Sequence, residues 1–122
     1  MFNIEIDRTD GVAVLQCAGR FVRGAAVTAL RDAVTAQKNA RIVVLDLSDV
    51  VLLDGSGLGT LVVLHRWARD RQVQLKLVNP STFILELLER TGLAGVFDVS
   101  SVLDAVMILR SPQHVSVCAA AS

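Results

Sequence analysis

No charge of either sign is in excess in this sequence, whose 12 lysines and arginines are matched by 12 acids. Nothing here builds the broad positive field that gathers nucleic acid, and there is no strongly acidic tail. Cysteine is scarce, with only two in the chain: Cys17 in a strand-like run and Cys118 near the end. They lack the CxxC spacing of a redox or zinc site and are expected to be reduced, inert thiols, with no metal or other cofactor implied. The ending "CAAAS" places Cys118 five residues from the end, one position too far for a prenylation signal. A long apolar run is missing from the start as well. "MFNIEIDRTD" already carries Glu5 and Asp7, which fits neither a secretion signal nor a membrane anchor and leads to the expectation of a cytoplasmic protein without membrane contact. At 122 residues the chain has the size of one ordinary domain, able to bury a core without disulfides or a metal.

What is present is an alternation of strand and helix patterns. "FNIEI" alternates apolar and polar residues, "GVAVLQCAG" does so less cleanly, and Asp10 with Gly11 between them marks a hairpin turn. From Ala25 to Lys38 the period becomes helical, with Val27, Leu30 and Val34 on one side. "RIVVLDL" is a continuous, β-branched run that predicts a central strand buried on both faces between helices. A loop is expected over residues 46–59, leading into a helix from near Ser56 to about Asp70. Its apolar stripe is Leu58, Leu61, Val62, Leu64 and Ala68, and its polar side is His65, Arg66 and Arg69.

"VQLKLVN" returns to strand and Pro80 stops it; Ser81 then suits an N-cap and Gly92 a left-handed C-cap for a helix ending at Arg90. That helix has apolar residues on more than one side, so Phe83 or Leu87 is expected to be partly exposed near the loop holding Ser56. A short "VFDV" strand follows, and Ser101 with Asp104 has the spacing of a capping box for a last helix to about Arg110. The fold class is therefore α/β: one domain over residues 1–110, a mixed sheet with an opening hairpin and about four helices, then a flexible tail over residues 111–122. Sites on such folds gather at loops leaving strand ends.

The stretch "LDGSGLG", Leu53 to Gly59, lies in such a loop. It is no Walker A loop, because no lysine follows Gly59 to reach a terminal phosphate. As a dinucleotide fingerprint it has the wrong glycine spacing, Gly55, Gly57 and Gly59 with Thr60 next, and no acid ends the following strand at Asn79. As a nucleophile elbow it would need glycine where Asp54 and Leu58 stand. A hydrolase also needs a base. His65 lies roughly 13 Å further along the same helix, out of hydrogen-bonding reach, and His114 sits in the tail, so both are expected to be solvated. No catalytic residue emerges. What remains is a serine at a helix N-terminus, and Asp54 or Ser56 acting as a plain N-cap would by itself account for it.

The longer segment "VVLDLSDVVLLDGSGLGTLV" is more specific than a cap. It resembles the STAS domain, the family of bacterial anti-sigma factor antagonists and of the cytoplasmic domains of sulphate transporters, whose members read D-L-S, a short apolar stretch, then D-S-S-G-L-G. Asp46, Leu47 and Ser48 match the first part; Asp54, Ser56, Gly57, Leu58 and Gly59 match the second. The order of elements fits to about Arg110. The resemblance implies that Ser56 is phosphorylated by an anti-sigma factor with serine kinase activity, that Asp54, Gly55, Gly57, Leu58 and Gly59 support its loop, and that a serine phosphatase is a further partner. It implies a regulatory binding protein rather than an enzyme. The rival within the same fold is a STAS module without a switch, serving as a transporter accessory subunit or a stress-signalling scaffold. The chain departs from the family at Gly55, where the pair's first serine is replaced, and in "GRFVRG", Gly19 to Gly24, which lacks an acid that many members carry there.

Overall fold

In the computed structural model of the chain, residues 1–100 and 113–119 are described. Strands β1 (Phe2–Thr9) and β2 (Val12–Phe21) form the expected antiparallel hairpin. Its turn has Asp10 at φ 41° and Gly11 at φ 81°, the two left-handed residues whose twist suits a two-residue hairpin. The Arg41 guanidinium donates to the Asp10 carbonyl at 2.9 Å, and a Cβ on Gly11 would come within 2.8 Å of Arg41 Nε. The turn is thereby fastened to the segment that opens the third strand.

Helix α1 (Ala25–Thr35) buries Ala26, Leu30, Ala33 and Val34 and stops short of the expected Lys38. Gln37 helps end it: its side-chain amide donates to the Ala33 carbonyl at 2.9 Å, while its oxygen accepts from Arg8 Nε at 2.8 Å. A carbonyl of the last turn is satisfied by a side chain that has itself left the helix.

Strand β3 (Ile42–Leu53) runs well past "RIVVLDL", through residues expected as loop from Asp46 onward. The physical reason is its neighbour. β2 is nearly as long and pairs with β3 in parallel from Val12 opposite Ile42 to Phe21 opposite Leu53, with register shifts between Gln16 and Ala18 and between Gly19 and Arg20. Those irregularities let the two strands continue together through a polar stretch. Within it, Ser48 donates to Asp46 Oδ1 through both its amide (3.0 Å) and its hydroxyl (2.7 Å).

Helix α2 (Gly55–Asp70) leads to β4 (Gln74–Val78), parallel to β3; α3 (Thr82–Arg90) leads to β5 (Asp98–Ser100), parallel to β4. Ser81 caps α3, accepting from the Ile84 amide at 3.2 Å. Gly92, at φ 75°, follows its end in the left-handed conformation expected of it. The last strand, β6 (Gln113–Ala119), pairs antiparallel with β1. This corrects the expectation of a flexible tail for those residues: an alternating "HVSVC" run finds its hydrogen bonds on the outer edge of the hairpin. The sheet order is β5-β4-β3-β2-β1-β6. The helix expected from Ser101 to Arg110 lies outside the described residues.

The main core joins one sheet face to all three described helices, with Ile4, Leu15, Leu45 and Leu77 meeting Leu30, Leu61, Leu64, Ile84 and Leu88. A smaller cluster of Val14, Val44 and Val78 lies apart from it. The central strand is thus buried on both faces, as its sequence predicts, although among the described residues helices pack on only one of them. Cys17 is buried in the main core, its thiol donating to the Leu15 carbonyl at 3.7 Å. Burial, and secondly the charge of Asp46, push this thiol far above its ordinary value, so it carries no thiolate reactivity.

Candidate functional site

Parallel pairing delivers the ends of β2 and β3 to the same edge of the sheet, and the site is built where they stop. Asp54, extended at φ −104° and ψ −175°, is the N-cap of α2. Its Oδ1 accepts from the Gly57 amide at 2.8 Å, which satisfies one of the free donors of the first turn. Its Oδ2 accepts from the Arg23 amide at 3.0 Å. One carboxylate therefore ties the start of α2 to the connector between β2 and α1. The amides of Arg23 and then Gly57 hold the Asp54 carboxyl below its usual value, against an opposing effect of burial.

Gly57 is buried, and a Cβ there would run into the Phe21 carbonyl and come within 3.0 Å of the Leu53 and Phe21 side chains. Phe21 in turn stacks on Phe2 with ring centroids 5.3 Å apart. Gly57 is therefore a packing glycine that seats the helix on the end of β2. Gly55 and Gly59 are different, since an added Cβ at either would meet nothing within 4 Å. Any open approach to the serine comes from these two and not from Gly57. Leu58 is half-buried against the core.

Ser56 stands between the glycines, half-buried. Its carbonyl accepts from Thr60 Oγ1 at 2.8 Å, while its hydroxyl makes no hydrogen bond among the described residues. On the elements that flank it, Val51 is 72% exposed, Leu52 37% and Val63 54%, and Arg20, Arg23, Arg66 and Asp49 are exposed. Arg20 lies opposite Leu52 in the strand register. Ser56, Gly59, Val63 and Arg66 follow one another at helical spacing along α2.

Arg23 was missed as a site residue by the sequence reading. Nothing local signals it, because its link to Asp54 exists only once β2 and β3 end side by side. The two histidines gain neighbours: His65, half-buried, packs edge-on against Phe97, ring centroids 5.5 Å apart, and His114 lies in β6, opposite Asp7, rather than in a free tail. Phe83 is 49% exposed on α3 and Leu87 half-buried, and among the described residues neither makes a ring contact or side-chain hydrogen bond to the serine loop. Among the same residues no group of three His, Cys, Asp or Glu side chains could hold a metal ion, and no helix is long and apolar enough to cross a membrane.

A mixed sheet with its helices packed on one core, and a capped, glycine-flanked serine where two parallel strands end, define a class. The STAS domain family model matches residues 3–106, and the chain belongs to that family. Among relatives, the anti-sigma-B factor antagonist of Listeria monocytogenes is 32% identical over 65 residues, which are 53% of this chain and 57% of the relative. The match thus spans little more than half of that protein's length. An anti-sigma factor antagonist from Mycobacterium paratuberculosis shares the fold with TM-score 0.71 and 23% identity, over 91% of this chain and 96% of that one. The Bacillus cell fate determinant SpoIIAA in its phosphorylated form does so with TM-score 0.68 and 18% identity, over 88% and 99%.

Proposed function

We propose that this chain is an anti-sigma factor antagonist switched by phosphorylation of Ser56. Unphosphorylated, it binds a protein partner, an anti-sigma factor with serine kinase activity, in the cytoplasm. Phosphorylated, it lets go, and a serine phosphatase resets it. It acts by binding rather than by catalysis.

The observation that carries this reading is the division of labour at the start of α2: Asp54 does the capping, so the hydroxyl of the half-buried Ser56 is committed to no hydrogen bond among the described residues. A kinase has to bring a terminal phosphate in line with that oxygen. Phosphate adds nearly two negative charges, and the amides and dipole of a helix N-terminus accommodate them without refolding. A partner covering Val51, Leu52 and Val63 would instead have to strip the solvent from that dianion. That costs on the order of several kcal/mol, where about 1.4 kcal/mol is already tenfold in affinity.

The test is to incubate the chain with the candidate kinase and ATP, map the phosphate by mass spectrometry and measure the affinity of both forms. Phosphate on Ser56 and a large loss of affinity are expected. Phosphate on Ser48 alone, or equal affinities, would move the protein to the STAS modules without a switch.

A further inference from the structure

We infer that Arg23 is the residue that answers a phosphate on Ser56, its guanidinium moving onto the new dianion so that modification withdraws a cation from the surface as well as adding an anion. This rests on Ser56 as acceptor and goes beyond it, because it assigns the phosphorylated form an internal partner of its own.

The geometry is a short bridge. The Arg23 amide lies 3.0 Å from one oxygen of Asp54 and the Gly57 amide 2.8 Å from the other, so a single carboxylate separates the Arg23 backbone from the first turn of α2. Ser56 is in that turn, and an added Cβ at Gly55, on its other side, would meet nothing within 4 Å. The Arg23 side chain is exposed and can reorient without breaking the core. Its charge already reaches this corner, where it is among the smaller causes that keep the Asp54 carboxyl ionised. Phosphate is the stronger claimant. Asp54 bears one charge and already accepts two amides, whereas a phosphoserine bears nearly two charges with three acceptor oxygens matched to the planar guanidinium fork. The other cation at this end of β2 is Arg20, whose backbone is fixed beside Leu52 rather than Asp54.

The experiment needs no kinase. Phosphoserine is installed at position 56 by stop-codon suppression, and the second ionisation of the phosphate is followed by phosphorus NMR at low salt. An opposite charge nearby favours the dianion and lowers the midpoint. The chain with Arg23 should titrate lower than Arg23→Gln by on the order of half a pH unit, a partly exposed pair giving less than a buried one. Arg23→Lys should keep part of the shift, Arg20→Gln should leave it in place, and salt should shrink it. The residue 23 amide persists in every variant, so the tie to Asp54 is retained and the amide spectrum of each sample reports the fold. Equal midpoints for Arg23 and Arg23→Gln, or an equal effect of Arg20→Gln, would overturn the assignment. Failure of a kinase to modify Ser56 would overturn the proposed function and leave this titration standing.

Discussion

Helices α2 and α3 both begin at an extended residue whose side chain accepts an amide of the first turn, yet they use their serines in opposite ways. At α3 the serine is the cap: Ser81 Oγ accepts from Ile84, and its hydroxyl oxygen is engaged in the helix it starts. At α2 the cap is Asp54, and the serine comes two residues later, its hydroxyl left over. The anchoring differs too. The cap of α3 is local, whereas that of α2 also takes an amide 31 residues away in sequence. A serine at a helix start is therefore uninformative until the capping residue is known. Displacement from the cap is what makes a hydroxyl available for chemistry.

Substitutions can break that contrast in graded steps. Gly57→Ala should have the largest effect, since its methyl group must push the first turn of α2 off the Phe21 carbonyl. Overpacking of this kind costs about 1–3 kcal/mol, read as a fall in the denaturant midpoint, while Gly55→Ala and Gly59→Ala should show no such loss. Next comes Asp54→Ala, which removes the acceptor for two amides and should cost about 1–2 kcal/mol; Asp54→Asn keeps an acceptor and should fold almost normally, with phosphorylation and partner binding reduced. The pH dependence follows from the lowered Asp54 pKa. Its contribution is complete above the ordinary carboxylate value of about 4 and fades as pH falls through its own lower one. The stability gap between wild type and Asp54→Ala, measured by urea unfolding, should therefore close in acid; partial exposure keeps it small.

Ser81→Ala loses a local cap and should cost about 1 kcal/mol in the same assay, with phosphate incorporation unchanged. Ser56→Ala should have the smallest effect on unfolding, within about 0.5 kcal/mol, while abolishing phosphate incorporation and holding the partner persistently. Ser56→Asp, with one charge in place of nearly two, should weaken that binding incompletely.

Much of this was legible locally. Asp10-Gly11 announced its hairpin because few pairs tolerate two left-handed residues, and Ser81 and Gly92 announced the two ends of α3 for similarly local reasons. The far half of β3 was not legible, since Asp46, Ser48 and Asp49 look like a loop until β2 lies alongside, with its register shifts, to carry them as strand. Nor was β6, whose strand character depends on β1 offering an edge. At the site, Asp54 and Ser56 could be singled out from the motif. The packing role of Gly57 and the arrival of Arg23 depend on where β2 ends, which no spacing within "LDGSGLG" encodes.

The overrun of β3 has a colloidal consequence. β4 accompanies it only from Ile42 to Asp46, so from Leu47 to Leu53 no described strand lies along that side, and the backbone there is a template on which another extended chain could align. The exposed Asp49 and the register shift opposite it interrupt that template. The acid in the middle of the strand therefore opposes edge-to-edge pairing beside the bare Val51 and Leu52, and bears on solubility at high concentration more than on thermal stability.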